Sequence, residues 1–250
     1  MLEIQVAERP GVGLDGQPRP TEDHVVVLDH AVAVLDGATS LDPALPSGGW
    51  YAERLAARLA RELTGDDDLR TVLRRAIAGV ADAEGLQPGR SPSSTVAILR
   101  WTADRVDSLV LADSPIVAFG QTVDLLADSR LVTLRRAGKL RTREAVRALR
   151  NHADGFWVAE ADPAAADHAI IRSWPRAALG AVILATDGVS CGVDDYGLFT
   201  WTEALQLARA KGVDAVLDAV RAAEDSDPGA RRWPRVKRHD DQAMVLVSFR

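Results

Sequence analysis

The chain has 250 residues, of which 47% are hydrophobic and 26% are charged, as is ordinary for a globular protein with a substantial core. Its formal net charge of -6 argues against nucleic acid as a general partner, and no apolar stretch approaches the ~20 residues that cross a membrane. The single cysteine, Cys191, cannot form an internal disulfide, and the N-terminus lacks the pattern of a signal peptide. We therefore expect a cytoplasmic protein with no membrane or nucleic-acid partner.

Apolar periodicity and turn residues predict the elements in chain order. Period-two or continuous apolar runs predict strands, and apolar residues three and four apart predict helices. The predicted strands cover residues 2–8, 24–28, 31–35, 95–101, 105–111, 115–119, 122–126, 181–185 and 243–249. The predicted helices cover residues 50–63, 68–83, 142–151, 202–210 and 213–223.

This order of elements indicates a fold class. Several strands follow one another without an intervening helix, which argues against a purely parallel, doubly wound sheet. We therefore predict one α+β domain over residues 1–250, with largely antiparallel sheets and helices packed outside them.

Five aspartates lie where predicted strands begin or end. Aspartate is depleted inside strands because its short side chain competes for backbone hydrogen bonds. Two of the five are followed by glycine, and because Asp-Gly is also a common turn dipeptide, each alone is more often a turn or cap residue than a ligand. The five aspartates together suggest a site because the residues next to them are apolar rather than typical of turns. The five are Asp23, Asp36, Asp113, Asp187 and Asp240.

Strand ends that meet at one edge of the sheets would hold these carboxylates as a rigid group of oxygen donors. Carboxylates packed together repel one another and take up protons, and a bound divalent cation removes that penalty. Oxygen ligands without a Cys or His cluster favour Mg²⁺, Mn²⁺ or Ca²⁺ over Zn²⁺. The glycines that follow Asp36 and Asp187 would also let the backbone approach an ion closely.

Six short motifs follow one another along the chain. They are Thr21-Glu22-Asp23, Val34-Leu35-Asp36-Gly37, Ser94-Thr95, Ala112-Asp113-Ser114, Ala185-Thr186-Asp187-Gly188 and Asp240-Asp241. Each alone is a weak signal, but their order, spacing and strand context together are fairly specific. The pattern resembles the type 2C family of metal-dependent protein phosphatases, and the resemblance spans Glu22 to Val247.

This resemblance implies a fold and an activity. The fold would be a four-layer β-sandwich of two antiparallel sheets flanked by helix pairs. The activity would be hydrolysis of phosphoserine and phosphothreonine in proteins by a hydroxide that bridges two Mn²⁺ or Mg²⁺ ions, since metals roughly 3.5–4 Å apart can share and activate one water. A third, weaker ion is part of the same expectation. The partners would be phosphorylated proteins in signalling, and we expect a monomer.

The resemblance also implies roles for single residues. Asp36 would bridge two metal ions, with the Gly37 carbonyl acting on one of them. Asp187 and Asp240 would complete one metal site. Asp23 would act on the first metal through water or as a nearby carboxylate. The third, more weakly held ion would belong to Asp113.

Two features depart from the family pattern. Many members have a histidine shortly after the first Asp-Gly as a candidate general acid, whereas here Ala38, Thr39 and Ser40 follow. Members also carry an arginine before the acidic motif that binds phosphate, and Arg19 is the candidate here, with spacing one residue short. A guanidinium fork suits phosphate, so we include Arg19 among the catalytic candidates. These departures leave a non-catalytic, phosphoprotein-binding or regulatory relative as the alternative function.

Two other features allow a functional interpretation beside a structural one. Cys191 is followed by an acidic segment that would repel phosphate, so a structural cysteine is favoured over a nucleophile. The basic run at residues 231–238 leads into Asp240. A solvated loop is the simpler interpretation, and a docking patch for acidic or phosphorylated partners is the functional one.

Overall fold

A computed structural model describes residues 2–38 and 44–249 of the chain. Within these residues the strands are β1 (Leu2–Arg9), β2 (Asp23–Val27), β3 (Ala31–Ala38), β4 (Ser93–Ser94), β5 (Val96–Trp101), β6 (Arg105–Leu111), β7 (Ile116–Phe119), β8 (Val123–Leu126), β9 (Ile170–Pro175), β10 (Ala181–Ala185) and β11 (Gln242–Phe249). The helices are α1 (Gly48–Glu62), α2 (Leu69–Glu84), α3 (Arg130–Arg136), α4 (Arg143–Leu149), α5 (Asp187–Asp194), α6 (Trp201–Lys211) and α7 (Asp214–Ser226). None of the helices in the described ranges is long and apolar enough to cross a bilayer.

The strands form two antiparallel sheets. One has the order β1-β11-β10-β7-β8, and the other has the order β2-β3-β5-β6-β9 with β4 paired to β3. Consecutive strands pair directly in the β2–β3, β5–β6 and β7–β8 hairpins. The predicted α+β class with antiparallel sheets is confirmed.

Three apolar cores separate four layers. Val34 and Leu99 from one sheet meet Val182 and Val245 from the other in the central core. A second core lies between the β2–β9 sheet and the pair α1 and α2, and a third lies between the β1–β8 sheet and α5, α6 and α7. Because both faces of the central strands are covered, these strands are continuous apolar runs in the sequence.

The first helix pair shows how local sequence sets these layers. Tyr51, Leu55 and Leu59 recur at four-residue spacing and are fully buried against the sheet, as the apolar stripe of an amphipathic helix requires. The N-cap of α2 is Asp68, whose side chain accepts from two backbone N–H groups of the first turn. Gly85 ends α2 in the left-handed conformation that glycine adopts without strain.

The structure adds elements that the sequence analysis did not predict and changes the position of two aspartates relative to their strands. Strands β4 and β9 and helices α3 and α5 were not predicted, and Asp187 begins α5 two residues after β10 ends rather than ending the strand itself. Asp36 lies within β3 rather than at its end, because β3 continues for two residues to pair with β4. Thr39 and Ser40, which lie in the segment where the resemblance implies a histidine, are outside the described residues.

Antiparallel pairing brings the site motifs to one end of the sandwich. In each antiparallel pair the end of one strand lies beside the start of its neighbour, as for the end of β3 and the start of β2, and for the end of β10 and the start of β11. Contacts between β2 and β11 bring an edge of one sheet close to the other. The motif residues from both sheets therefore meet at this edge.

Candidate metal and active site

The β2–β3 hairpin places two of the predicted aspartates opposite each other. Asp23 and Asp36 are register partners in the hairpin. The Asp36 N–H donates to Thr95 Oγ1 at 3.0 Å, and the Thr95 N–H donates to the Asp36 carbonyl at 2.8 Å. Ser94 Oγ donates to the same carbonyl at 2.9 Å. The Ser94–Thr95 pair therefore fixes the backbone of Asp36.

Thr186 links Asp23 to the second sheet. Its hydroxyl donates to Asp23 Oδ2 at 2.7 Å and accepts from the Ala243 N–H at 2.9 Å. The Asp23 side chain is buried, and its other oxygen, Oδ1, has no hydrogen-bond partner among the described residues. A buried carboxylate oxygen without a donor is costly unless a cation or water binds it, so Oδ1 is available as a donor atom.

Asp187 and Gly188 start α5. Asp187 is the first residue of this helix, where the helix dipole favours a negative charge. A Cβ atom on Gly188 would lie 1.9 Å from the Asp241 carbonyl oxygen, and Gln242 Nε2 donates to the Gly188 carbonyl at 2.9 Å. Glycine here is required for close packing between the start of α5 and the start of β11.

The other Asp-Gly pair also has a packing explanation. A Cβ atom on Gly37 would lie 2.3 Å from the carbonyl carbon of Gly48, at the start of α1. The Gly37 N–H donates to the Glu22 carbonyl at 2.9 Å. The glycine therefore lets α1 approach β3 closely, and the role of its carbonyl toward a metal stays a prediction.

The two consecutive aspartates before β11 have different environments. Asp241 is buried, and its Oδ1 accepts from the backbone N–H groups of Gly11 at 2.9 Å and Glu22 at 3.2 Å. Asp240 is partly exposed, and its Oδ1 accepts from Lys237 Nζ at 2.6 Å. Asp241 thus holds the N-terminal loop in place, whereas Asp240 faces the cleft beside the site.

Asp113 occupies a turn between β6 and β7. It follows Ala112, whose φ of 68° lies in the left-handed region that glycine favours, so the turn is held in a strained conformation. Ser114 Oγ lies 2.6 Å from Thr95 Oγ1, and Arg135 from α3 lies 3.8 Å from the Asp113 carboxylate. Asp113 is therefore attached to the same framework as Asp36 and is partly neutralised by Arg135.

The carboxylates act on one another electrostatically. Burial, followed by the charges of Asp23, Asp187 and Asp240, raises the pKa of Asp36 well above its usual value. Burial likewise raises the pKa of Asp23, with Thr186 acting in the opposite sense and Asp187 adding to the rise. The pKa of Asp187 rises to about 7, mainly through burial and then through Asp240. The group is therefore destabilised by its own negative charge, and a cation bound there would relieve that repulsion.

The donor set fits a hard divalent cation. It consists of carboxylate oxygens, including the unpartnered Asp23 Oδ1, and such ligands suit Mg²⁺ or Mn²⁺. Within residues 2–38 and 44–249, no three His, Cys, Asp or Glu side chains are already arranged as a ligand shell. Lys237 is the cation that Asp240 contacts in this structure.

A cleft of about 780 Å³ opens beside the aspartates. Asp113, Asp187 and Asp240 line this cleft together with the basic side chains of Arg135 and Lys237. A phosphoryl group in this cleft would therefore meet both the candidate metal ligands and basic side chains.

The sequence profile of the protein phosphatase 2C family matches residues 20–221. The chain belongs to this family. A search of curated proteins finds no match.

Solved structures show the same fold. The serine/threonine phosphatase PstP/Ppp of Mycobacterium tuberculosis is 17% identical with a TM-score of 0.64, and the match covers 99% of this chain and 98% of that one. Stp1 of Staphylococcus aureus is 14% identical with a TM-score of 0.66, covering 100% and 96%. A structure of the PstP catalytic domain in complex with two manganese ions is 17% identical with a TM-score of 0.61, covering 99% of each chain. At these identities the likeness establishes the fold, which confirms the predicted four-layer sandwich.

Arg19 lies apart from the five aspartates of this phosphatase 2C chain. Its guanidinium pairs with Asp15 at 2.8 Å within the N-terminal loop. It lines a second depression that it shares with Glu22 and Lys237. Its role as a phosphate ligand stays a prediction.

Besides Arg135, which lines the cleft, three further functional candidates were missed by sequence reasoning. Thr186, Asp241 and Lys237 all contact the aspartate group or its supports. Thr186 and Asp241 stand inside the quoted family motifs and were identifiable by their position beside Asp187 and Asp240. Nothing in the sequence indicated a functional role for Lys237 except its position in a basic loop.

Cys191 lines the cleft of this phosphatase 2C fold, but its environment does not favour a nucleophile. Burial, with a further contribution from Asp187, raises the pKa of its thiol, whereas a reactive cysteine needs a lowered pKa. The structural interpretation of Cys191 is therefore favoured by its environment.

Proposed function

We propose that this chain hydrolyses phosphoserine and phosphothreonine in proteins and depends on Mn²⁺ or Mg²⁺. The observation that carries the proposal is the pairing of Asp23 with Asp36 in the β2–β3 hairpin, with Asp23 Oδ1 buried and unpartnered among the described residues, in a phosphatase 2C fold whose cleft is lined by Asp113, Asp187 and Asp240. The manganese-bound PstP structure supports the choice of metal by analogy of fold. The single catalytic domain over residues 1–250, the cytoplasmic location and the monomeric state remain predictions from the sequence.

Each aspartate has a proposed role in holding the ions. Asp36, Asp187 and Asp240 would hold two ions, Asp23 would support the first, and Asp113 would hold a weaker third. When bound, such ions supply Lewis-acid activation of water and neutralise charge on a phosphoryl group.

The chain's own side chains set the geometry around this chemistry. Thr186 fixes Asp23 through one oxygen and leaves the other free, and Thr95 fixes the backbone of Asp36. Arg135 lines the cleft near Asp113 and would orient phosphoryl oxygens by charge-assisted hydrogen bonds. Arg19 would reach phosphate only after leaving Asp15, so its part in binding is secondary in this arrangement.

The test is a phosphopeptide turnover assay with Mn²⁺ or Mg²⁺. We expect EDTA to abolish turnover and Asp36→Asn or Asp187→Asn to reduce kcat/KM by about 10² or more, since each removes a proposed ligand of the catalytic ions. Asp107→Asn is the matched control, because Asp107 lies in β6 beside Arg105 at the opposite end of the strand from Asp113. Full activity in both site variants would overturn the proposal.

A second candidate function follows from Lys237. Because its ammonium already contacts Asp240, a phosphoprotein-binding relative without turnover is a defined alternative. Phosphopeptide binding by calorimetry, measured beside turnover, separates the two, and binding without turnover in saturating Mn²⁺ would favour the binding protein.

A further inference from the structure

Lys237 lies between three carboxylates. Its Nζ is 2.6 Å from Asp240 Oδ1, 3.0 Å from Asp241 Oδ2 and 3.5 Å from Glu22 Oε2. About three quarters of the side chain is buried, with 24% exposed. The ammonium is thus a compact positive charge built into the edge of the proposed metal site.

The three carboxylates differ in how freely they can leave Lys237. Asp241 is fixed by the N–H groups of Gly11 and Glu22 and is almost fully buried. Asp240 is the most exposed of the three and is the one that lines the cleft. Asp240 Oδ1 also accepts from the Asp241 N–H at 2.9 Å, but Asp240 has the most room of the three to turn toward another cation while Lys237 stays bound to Asp241 and Glu22.

A divalent ion bound at Asp240 would share this carboxylate with the ammonium, which contacts its Oδ1. Both are attracted to Asp240, and they repel each other at the short distances available there. An ion that binds Asp240 must therefore either displace Lys237 from its 2.6 Å contact or bind close to the positive charge of Lys237.

We propose that Lys237 is a tethered cation that competes with a divalent metal ion for Asp240 and weakens that ion's binding. The inference rests on the proposed function, because it takes Asp240 as a metal ligand. Lys237 is then a positioning residue for Asp240. It raises the free Mn²⁺ or Mg²⁺ concentration that is needed to fill this site.

The first experiment is calorimetric titration with Mn²⁺ alone, without substrate. We expect Lys237→Gln to bind one ion on the order of tenfold more tightly than the parent, because a nearby positive charge is removed. Arg238→Gln is the matched control, since it removes one charge from the adjacent residue, whose partner is Asp225. We expect the Mn²⁺ affinities of Arg238→Gln to stay within about twofold of the parent's, because salt screens the charge of this exposed side chain.

A double-mutant cycle assigns the effect to Asp240. In the Asp240→Asn background, Lys237→Gln should no longer tighten Mn²⁺ binding, because the shared ligand is gone. A tightening of equal size in both backgrounds would overturn the proposed competition at Asp240.

A second measurement uses the parent protein and avoids the risk that a variant misfolds. The chain has three lysines, Lys139, Lys211 and Lys237, so their side-chain ¹⁵N resonances can be assigned by substitution. Titration with diamagnetic Mg²⁺ should shift the Lys237 resonance and leave the other two in place. A Lys237 resonance that does not move at saturating Mg²⁺ would overturn the inference.

The outcomes distinguish this inference from the proposed function. If the parent binds Mn²⁺ and Lys237→Gln binds it equally or more weakly, the competition is overturned while the metal site stands. If neither protein binds Mn²⁺, the metal-dependent function and the inference both fail.

Discussion

The hydroxyl of Thr186 donates to Asp23 Oδ2 at 2.7 Å, a hydrogen bond that joins the end of β10 in one sheet to the start of β2 in the other. The same hydroxyl accepts from the Ala243 N–H at the start of β11. Asp23 Oδ2 is therefore held by this hydrogen bond, whereas Asp23 Oδ1 is available to a ligand. The site depends on how the two sheets are joined as well as on its acidic residues.

Replacing Thr186 with valine tests this connection. The change keeps the shape of the side chain but leaves a buried carboxylate oxygen and the Ala243 N–H without their partner. We expect it to lower the free energy of unfolding by about 1–3 kcal/mol, measured by urea denaturation. Thr186→Ser keeps the hydroxyl and is the control, and a valine variant as stable as the serine variant would contradict the role of this hydrogen bond.

Replacing Asp36 with asparagine should have opposite effects on the metal-free and metal-bound protein. In EDTA at pH 8 the variant should melt about 2–4 °C higher, corresponding to roughly 1 kcal/mol for a chain of this size. The reason is that burial and the neighbouring aspartates raise the pKa of Asp36, so this carboxyl group destabilises the folded state at a pH above its usual pKa. The variant should also lose the rise in Tm that Mn²⁺ gives the parent, since ligand binding stabilises only the folded state that holds the ligand. Thermal scans with Mn²⁺ and with EDTA measure both effects. The Asp107→Asn control should keep the parent's response to Mn²⁺.

Replacing Gly188 with alanine tests the contact between α5 and β11. The added Cβ would lie 1.9 Å from the Asp241 carbonyl oxygen, so either α5 or the start of β11 must move. We expect a loss of about 3 kcal/mol in the free energy of unfolding. Gly65→Ala is the control, because its Cβ would meet no atom within 4 Å, and a surface change of this kind stays within about 0.5 kcal/mol. Equal stability of the two variants would contradict the packing argument.

Much of the fold and the membership of the aspartate group could be predicted from the sequence, because both depend on regular patterns. The apolar runs of β10 and β11 and the four-residue spacing of α1 are set by burial, and these elements are found close to their predicted bounds. Helix α5 was not predicted because its eight residues, Asp187–Asp194, include two glycines and too few apolar positions to show a period. The Lys237 contacts could not be predicted, since they depend on where an irregular loop returns to the site.

Geometry favours Arg135 over Arg19 as the proposed phosphate-binding arginine. Arg135 lies 3.8 Å from Asp113 and lines the cleft with Asp187, whereas Arg19 pairs with Asp15 and lines a separate depression. We expect Arg135→Ala to lower kcat/KM for a phosphopeptide by about tenfold, as loss of one charge-assisted hydrogen bond of roughly 1.5 kcal/mol would do. Arg19→Ala should lower it less, because its charge is already balanced by Asp15.

Steady-state kinetics with one phosphopeptide, at saturating Mn²⁺, measures both arginine variants. Arg209→Ala is the control for the loss of one positive charge, because Arg209 lies in the last turn of α6, away from the cleft. If Arg19→Ala has the larger effect, the N-terminal loop must rearrange when substrate binds, releasing Arg19 from Asp15. Asp15→Ala would then raise kcat/KM, because it removes the competing carboxylate that holds the guanidinium away from the substrate.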